Sequence, residues 1–274
     1  MRIAIQGEPG SFSHQAALQM EPQATIVPCA FSAEVFKLVE SGAVCAAVIP
    51  IENSLAGSVV EHFDLLFQSA VQIERESLLR IRHNLIGIPG SRIEGIRQVL
   101  SHPVALAQCR RFFAEHPAMS PTAFYDTAGS VKHVIALGDK ESGAIASEQA
   151  ALAYGGVVLA AGIEDNPANY TRFFLIRTAT QIQPLPNPDK VSIAFTVENR
   201  PGSLVSALQA FADHNTNLCK VESRPVHGHP WQYVFYVDYQ VADPAETGAA
   251  LDQLRRQCMF VKVLGYYPAA WLPS

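Results

Sequence analysis

Short apolar runs alternate with amphipathic stretches over about the first 180 residues, a rhythm that predicts an α/β sheet covered by helices. Strands are expected over Arg2–Gln6, Val44–Ile49, Arg97–Ser101, Gly143–Ser147 and Arg172–Arg177. Helices are expected over Ser13–Met20, Ala33–Ser41, Val59–Phe67, Pro103–His116, Ser130–Leu137 and Glu148–Tyr154. Pro103 suits a first helical turn, and Asp126-Thr127 precedes a helix as a start signal.

Between Thr178 and Lys190 the composition turns to Gln, Asn and Pro, with prolines at 184, 186 and 188. Proline removes backbone donors and favours extended chain, so 179–189 reads as a linker. Beyond it the pattern predicts strand 191–198, helix 202–214, strands 217–225 and 232–239, helix 244–257 and strand 260–265. That succession is βαββαβ, the ferredoxin-like order.

The bulk properties narrow the chemistry. A formal charge of −5 and the absence of a dense Lys/Arg block argue against a nucleic-acid surface or a membrane patch. No run of about 18 apolar residues predicts a membrane span, and the start at Met1 reads as a strand, not a secretory signal. The five cysteines are scattered with no C-x-x-C pair, which argues against a disulfide framework or a thiolate zinc site. A cytoplasmic protein handling small molecules is the expectation.

Four polar clusters fall at ends of predicted strands, where α/β sheets open onto ligands. Gly7 to Ser13 is a glycine-containing turn into a helix whose free N–H groups suit a carboxylate, without being a dinucleotide or P-loop fingerprint. Pro50 to Ser58 concentrates Glu52, Asn53 and Ser54 after a strand, where Asn53 and Ser54 either cap the next helix or contact a ligand. Ser101 to Cys109 offers Ser101 as a cap and puts Gln108 two turns into an apolar helix, where a polar side chain needs a partner. Asp126 to Ser130 reads as a cap. Asn169-Tyr170-Thr171-Arg172-Phe173 sets an amide, a hydroxyl and a guanidinium before an apolar run, as a turn or as a ligand wall. The histidines His14, His62, His83, His102 and His133 show no zinc spacing and read mostly as surface or capping residues. No G-x-S-x-G elbow supports a hydrolase triad.

Taken jointly, Pro-Ile-Glu-Asn-Ser at 50–54, Ser-His-Pro at 101–103 with Gln108-Cys109, and Asn-Tyr-Thr-Arg-Phe at 169–173 resemble the prephenate dehydratase family. The second half resembles that family's amino-acid-binding ACT domain through Arg200 to Leu204, Lys220 to Pro225, Tyr233 to Asp238 and Leu264 to Pro268. The resemblance spans the chain in order. It implies a two-lobed catalytic domain like type 2 periplasmic binding proteins at 1–178, with lobe one about 1–75 and 163–178 and lobe two about 76–162. The chain would cross near Val71 to Ile88 and return through Gly162 to Phe173. The ACT regulatory domain would occupy 190–274.

The activity implied is decarboxylating dehydration of prephenate to phenylpyruvate, water and CO2 in phenylalanine biosynthesis, with no cofactor and no metal. The family's central threonine is here Thr171, a weak acid expected to hydrogen-bond the leaving oxygen, with Glu52 as the nearest proton source. Asn53, Ser54, Ser101, Gln108 and Asn169 would hold the substrate. Arg172 would either contact the substrate or, since strands alternate their faces, brace a loop behind Thr171. Phenylalanine would bind at Gly202, Ser203 and Leu204 together with Glu222, Ser223, Arg224 and Pro225, the latter packing across a subunit interface of a homodimer or homotetramer. Ser203 departs from the family's usual Gly-Ala-Leu. No chorismate mutase region precedes the catalytic part, so a monofunctional enzyme is expected. Two rivals share these features: an arogenate dehydratase, and a non-catalytic aromatic-acid binding or sensing protein.

Overall fold

The computed structural model describes residues 1–183, 185–226 and 231–270, so Pro184 of the expected linker lies outside the described residues. The chain forms two compact units, Met1–His62 with Ser77–Leu175, and Phe63–Glu76 with Ile176–Ser274. Among the described residues no helix is long and apolar enough to cross a membrane.

The first unit opens with β1 (Arg2–Gln6), α1 (Phe12–Met20), β2 (Thr25–Cys29), α2 (Ser32–Glu40), β3 (Ala46–Asn53) and β4 (Gly57–Ser58). Helix α3 (Val60–Gln68) starts in this unit and ends in the other, and β5 (Val71–Arg80) runs back. Then come β6 (Asn84–Gly87), β7 (Gln98–Ser101), α4 (Pro103–Ala107), α5 (Arg110–Glu115), β8 (Ser120–Ala123), α6 (Thr127–Leu137), β9 (Ser142–Ala146), α7 (Glu148–Tyr154), β10 (Val157–Ala161) and β11 (Tyr170–Thr178).

Two sheets organise it. In the first, β1 lies between β2 and β3 in parallel, and Ile3, Ile5 and Val48 are sealed against Ala16 and Ala17 of α1 and against Phe173 and Leu175 of β11. Each fully buried Ile or Phe contributes on the order of 1.5 to 3 kcal/mol. The second sheet has the order β10-β6-β9-β7-β8. Its three inner strands are buried on both faces: Ile86, Leu100 and Ala144 join a cluster with α6, while their neighbours Leu85, Val99 and Ile145 join one with Phe112 of α5. Successive side chains point to opposite faces, so continuous apolar runs here mean two covered faces. Two crossing segments run side by side, tied by Ile81 N–H to the Asn169 carbonyl at 2.8 Å and Ile163 N–H to the His83 carbonyl at 2.9 Å.

The second unit contains β12 (Lys190–Thr196), α8 (Ser203–Asp213), β13 (Leu218–Pro225), β14 (Tyr233–Gln240), α9 (Pro244–Gln257) and β15 (Phe260–Tyr267). The sheet order β13-β14-β12-β15 is the ferredoxin-like arrangement, with Ile193, Phe195, Val237 and Tyr239 packed under Phe211 and Leu254 of the two helices. The sheet also grips the end of α3. Lys262 Nζ donates to the carbonyls of Leu66, Phe67 and Ser69, Tyr236 donates to the Phe63 carbonyl at 3.0 Å, and Arg224 pairs with Asp64 at 3.2 Å. A cation at those carbonyls also favours the negative end of the helix dipole.

Several sequence expectations change. The single helix over 103–116 is two helices, because Asp165 accepts from the N–H groups of Arg110 and Arg111 at 3.0 and 2.9 Å and starts a new helix there. Strand β5 escaped notice because it buries charge: Glu74 pairs with Arg177 at 2.7 Å and Glu76 with Lys190 at 2.9 Å. Strands β2 and β8 were hidden by Pro28 and Pro121, residues that belong at the sheet edges these strands occupy.

Strand β15 meets β5 in parallel at Gly265 opposite Ile73, where a Cβ on Gly265 would lie 2.6 Å from Ile73 Cβ and in overlap with its carbonyl oxygen. Gly265→Ala is therefore expected to destabilise by roughly 1 to 3 kcal/mol, the scale of overpacking. A thermal melt checks this; an unchanged midpoint would refute the contact.

Candidate active site

Six chain segments converge on one cavity of about 490 Å³ in the first unit. Gln6, Ser11, Phe12 and Ser13 come from β1 and the start of α1, and Pro50, Asn53 and Ala56 to Val59 from β3 and the turn after it. His83, His102, Val104, Ala105 and Gln108 follow from the crossing and α4; Tyr125 to Thr127 precede α6; Thr171 and Phe173 come from β11. Alternation along β11 puts Thr171 and Phe173 on the cavity side and leaves Arg172 on the other.

The starts of α1 and α6 border this space, with Ser11 and Asp126 as their N-caps. Asp126 Oδ1 accepts from Ala128 and Gly129 N–H at 2.6 and 3.0 Å, and Ser11 Oγ accepts from His14 N–H. Gly7, at φ +94°, is required here because a Cβ would stand 2.6 Å from Asp126 Oδ2. Among the described residues lining the cavity there is no Lys or Arg, and Asp126 is its one carboxylate. An anionic ligand would be held by hydroxyls, amides and helix N-termini, not by formal positive charge.

At the floor is a chain of side-chain amides. Asn53 Oδ1 accepts from Leu55 and Ala56 N–H at 3.0 and 2.8 Å, which turns its Nδ2 toward Asn169 Oδ1 at 2.7 Å and Thr171 Oγ1 at 2.9 Å. Asn169 Nδ2 donates onward to Gln108 Oε1 at 3.0 Å, and the same oxygen lies 2.8 Å from His83 Nε2. Because Thr171 Oγ1 accepts from Asn53, the hydroxyl proton is left to be donated into the cavity.

The expected site residues separate. Thr171, Asn53 and Gln108 face the cavity. Asn169 is fully buried as the link between Asn53 and Gln108. Glu52 is corrected as a proton source: its carboxylate pairs with Arg172 at 3.2 Å and lies outside the cavity lining. Arg172 accordingly braces rather than binds, with its guanidinium 5.0 Å from the Phe174 ring centroid. Ser54 ties the return crossing, exchanging hydrogen bonds with the Ala168 carbonyl and Tyr170 N–H, and does not line the cavity. Ser101 is fully buried and donates to the Ile145 carbonyl at 2.6 Å, so it joins β7 to β9 instead of meeting a ligand. Sequence reasoning missed His83, His102 and Tyr125. The Ser-His-Pro motif carried His102, but nothing local distinguished His83.

In the second unit, Gly202, Ser203 and Ser206 at the start of α8 border a cavity of about 600 Å³ with Glu198, Arg200 and Met259. Gly202 sits at φ +85°, a conformation glycine adopts without strain. Leu204 packs into the core beneath, and Glu222 to Pro225 lie on β13, away from this cavity's lining.

The first unit thus holds a cavity lined by hydroxyls and amides without Lys or Arg among its described residues, and the second is a βαββαβ unit with a cavity of its own at the start of α8. The family comparisons name the class. The model described as "Prephenate dehydratase" matches residues 3–181 and that described as "ACT domain" matches 191–258, so the chain belongs to the prephenate dehydratase family and is an enzyme of that type with an ACT domain. Arogenate dehydratase/prephenate dehydratase 1 of Arabidopsis thaliana is 38% identical over 98% of this chain and 72% of its own. The prephenate dehydratase of Arthrobacter aurescens, solved in complex with L-Phe, is 30% identical with a TM-score of 0.90 over 98% of this chain and 90% of its own. A structure described as a novel type of quorum quenching acylase, GqqA, is 35% identical with a TM-score of 0.90 over 98% of both chains.

Of the five histidines read mostly as surface or capping residues, His62 and His83 are buried. Burial is the main cause holding both below the ordinary imidazole range, opposed by the Pro50 carbonyl at His62 and by Gln108 at His83. Both are neutral in the folded state at neutral pH. Below about pH 6.5 the unfolded chain takes up protons that the folded one refuses, so stability falls as pH drops. The expected slope is about 1.4 kcal/mol per pH unit for each such histidine until its lowered folded pKa is reached. Urea unfolding at about pH 7.5, 6 and 5 measures it, and a flat profile would contradict the burial.

Proposed function

We propose that this protein converts prephenate to phenylpyruvate in the cavity around Thr171. The observation that carries the reading is the Thr171 hydroxyl, turned into a donor by Asn53. As the C1 carboxylate leaves as CO2, its bonding electrons aromatise the ring and expel the C4 hydroxyl, which becomes water with a proton from solvent. Thr171 hydrogen-bonds the departing oxygen as charge develops on it. Gln108, Ser11 or Ser13 and the helix N-termini would take the two carboxylates. Neutral donors suit the carboxylate that is lost, since a strong clamp on it would stabilise the ground state more than the transition state. We assign the catalytic role to 1–178, a linker to 179–189 and regulation to 190–274, in a cytoplasmic homo-oligomer.

Two observations favour the amine-bearing substrate arogenate as a second reading: several relatives are named arogenate dehydratases, and Asp126 is an acidic group at the cavity wall that would attract an ammonium. An acylase activity is less well supported, because Thr171 Oγ1 is held by an amide donor and not by a base. Side-by-side turnover decides the substrate: a higher kcat/KM for prephenate is expected, and a higher one for arogenate would reverse the assignment. Thr171→Ala should lower kcat by at least about 100-fold with an unchanged melt, the scale of lost acid-base assistance. Wild-type turnover by this variant would remove Thr171 from the mechanism.

For the ACT domain we propose phenylalanine as effector, held by Gly202 and Ser203 of one subunit and the Glu222 to Pro225 segment of another. The separation of those two groups within one chain supports a site completed by a partner. Millimolar phenylalanine is expected to change activity and sedimentation together. No response in either would count against it.

A further inference from the structure

His83 stands at the far end of the amide chain and outside the set that sequence reasoning selected. It is 2% exposed, its ring meets Phe12 edge-on at 5.7 Å between centroids, and its backbone N–H donates to Glu164 at 2.9 Å. Its Nε2 lies 2.8 Å from Gln108 Oε1, whereas its Nδ1 is buried with no hydrogen-bond partner.

The orientation of every amide in the chain follows from a backbone anchor. The N–H groups of Leu55 and Ala56 fix Asn53 Oδ1. Asn53 must then donate to Asn169 Oδ1, and Asn169 must donate to Gln108 Oε1. That carbonyl oxygen is what His83 Nε2 meets, so Nε2 has to carry the proton. The alternative tautomer would set a lone pair against the Gln108 oxygen and strand a buried N–H at Nδ1, where no acceptor lies. A buried donor without a partner costs about 1 to 3 kcal/mol. Burial also keeps the ring from taking a second proton.

With its oxygen engaged twice, Gln108 has its Nε2 donors left over. No acceptor takes them among the described residues, and the side chain lines the cavity. A flipped Gln108 would instead present its oxygen to an anionic ligand and oppose its amide to that of Asn169.

We propose that His83, as the Nε2–H tautomer, is a positioning residue that locks the Gln108 amide with its donors toward the substrate and closes the hydrogen-bonded chain ending at Thr171. It touches the reaction only through Gln108. The inference rests on the reading of this cavity as the prephenate site, but the tautomer does not.

Two measurements test it. Nitrogen-15 spectra of the intact protein at about pH 7.5, assigned with His83→Gln, should show His83 protonated at Nε2 and not at Nδ1; the opposite tautomer would overturn the proposal whether or not prephenate is a substrate. Steady-state kinetics should then give His83→Leu a kcat/KM lower by about 10- to 100-fold, the scale of a misplacement behind the reacting groups. His83→Gln, whose Nε2–H can replace that of the ring, should recover to within a few-fold. Wild-type kinetics in His83→Leu, or equal loss in both variants when their melting temperatures match wild type, would overturn the proposal. Absent turnover by the wild-type enzyme would refute the substrate assignment, and the spectra would still decide the tautomer.

Discussion

Asn53 has each end of its amide committed to a different part of the fold. Its oxygen takes two backbone N–H groups in the turn after β3, and its nitrogen reaches the return crossing at Asn169 and Thr171. An amide cannot exchange its donor and acceptor without breaking both sets, so the turn dictates the polarity of everything beyond it. The direction of the Thr171 hydroxyl, the buried link through Asn169 and the orientation of Gln108 all follow. A buried amide chain of this kind is valuable only when every member is satisfied, because each unmet partner is expensive in a low-dielectric interior.

The same constraint shows how a cavity without Lys or Arg in its described lining would serve a dianion on the proposed reading. Donors fixed before the ligand arrives need no reorganisation, which is where electrostatic preorganisation gains over water. Formal charge has been moved outward: Arg172 is spent on Glu52 and Phe174 on the opposite face of β11. On the proposed reaction that separation would help, since the carboxylate to be lost would be held but not trapped.

The second unit shows how a recurrent βαββαβ module is adapted by borrowed chain. Residues 63–76, which sit in sequence inside the dehydratase match, pack with the ACT sheet. Lys262 collects the carbonyls ending α3, Arg224 takes Asp64, and Gly265 allows β5 to approach β15. The other end of α3 begins just after Ser58 and Val59, which line the cavity around Thr171. One helix therefore begins beside that cavity in one unit and ends among residues packed with the sheet of the other.

Much of this was legible in the amino-acid order. The apolar rhythm marked β1, β3, β7, β9 and β11, and the ferredoxin-like succession after the proline-rich stretch was readable, because local periodicity reports which faces are buried. The joint spacing of the Glu52-Asn53, Gln108 and Asn169-to-Phe173 motifs pointed to the family. What it could not supply was the sorting of those motifs. Asn53 and Glu52 are neighbours, yet one faces the cavity and the other the brace, and Ser101 sits in a motif but bonds Ile145. Strand β5, with ionic partners over a hundred residues away, and His83, whose partner Gln108 is 25 residues on, carry no local signal. The sequence by itself determined the elements with a local apolar rhythm, the module order and the chemical inventory. Only the tertiary structure decided which polar groups meet, because hydrogen-bond partners are set by the packing of distant segments.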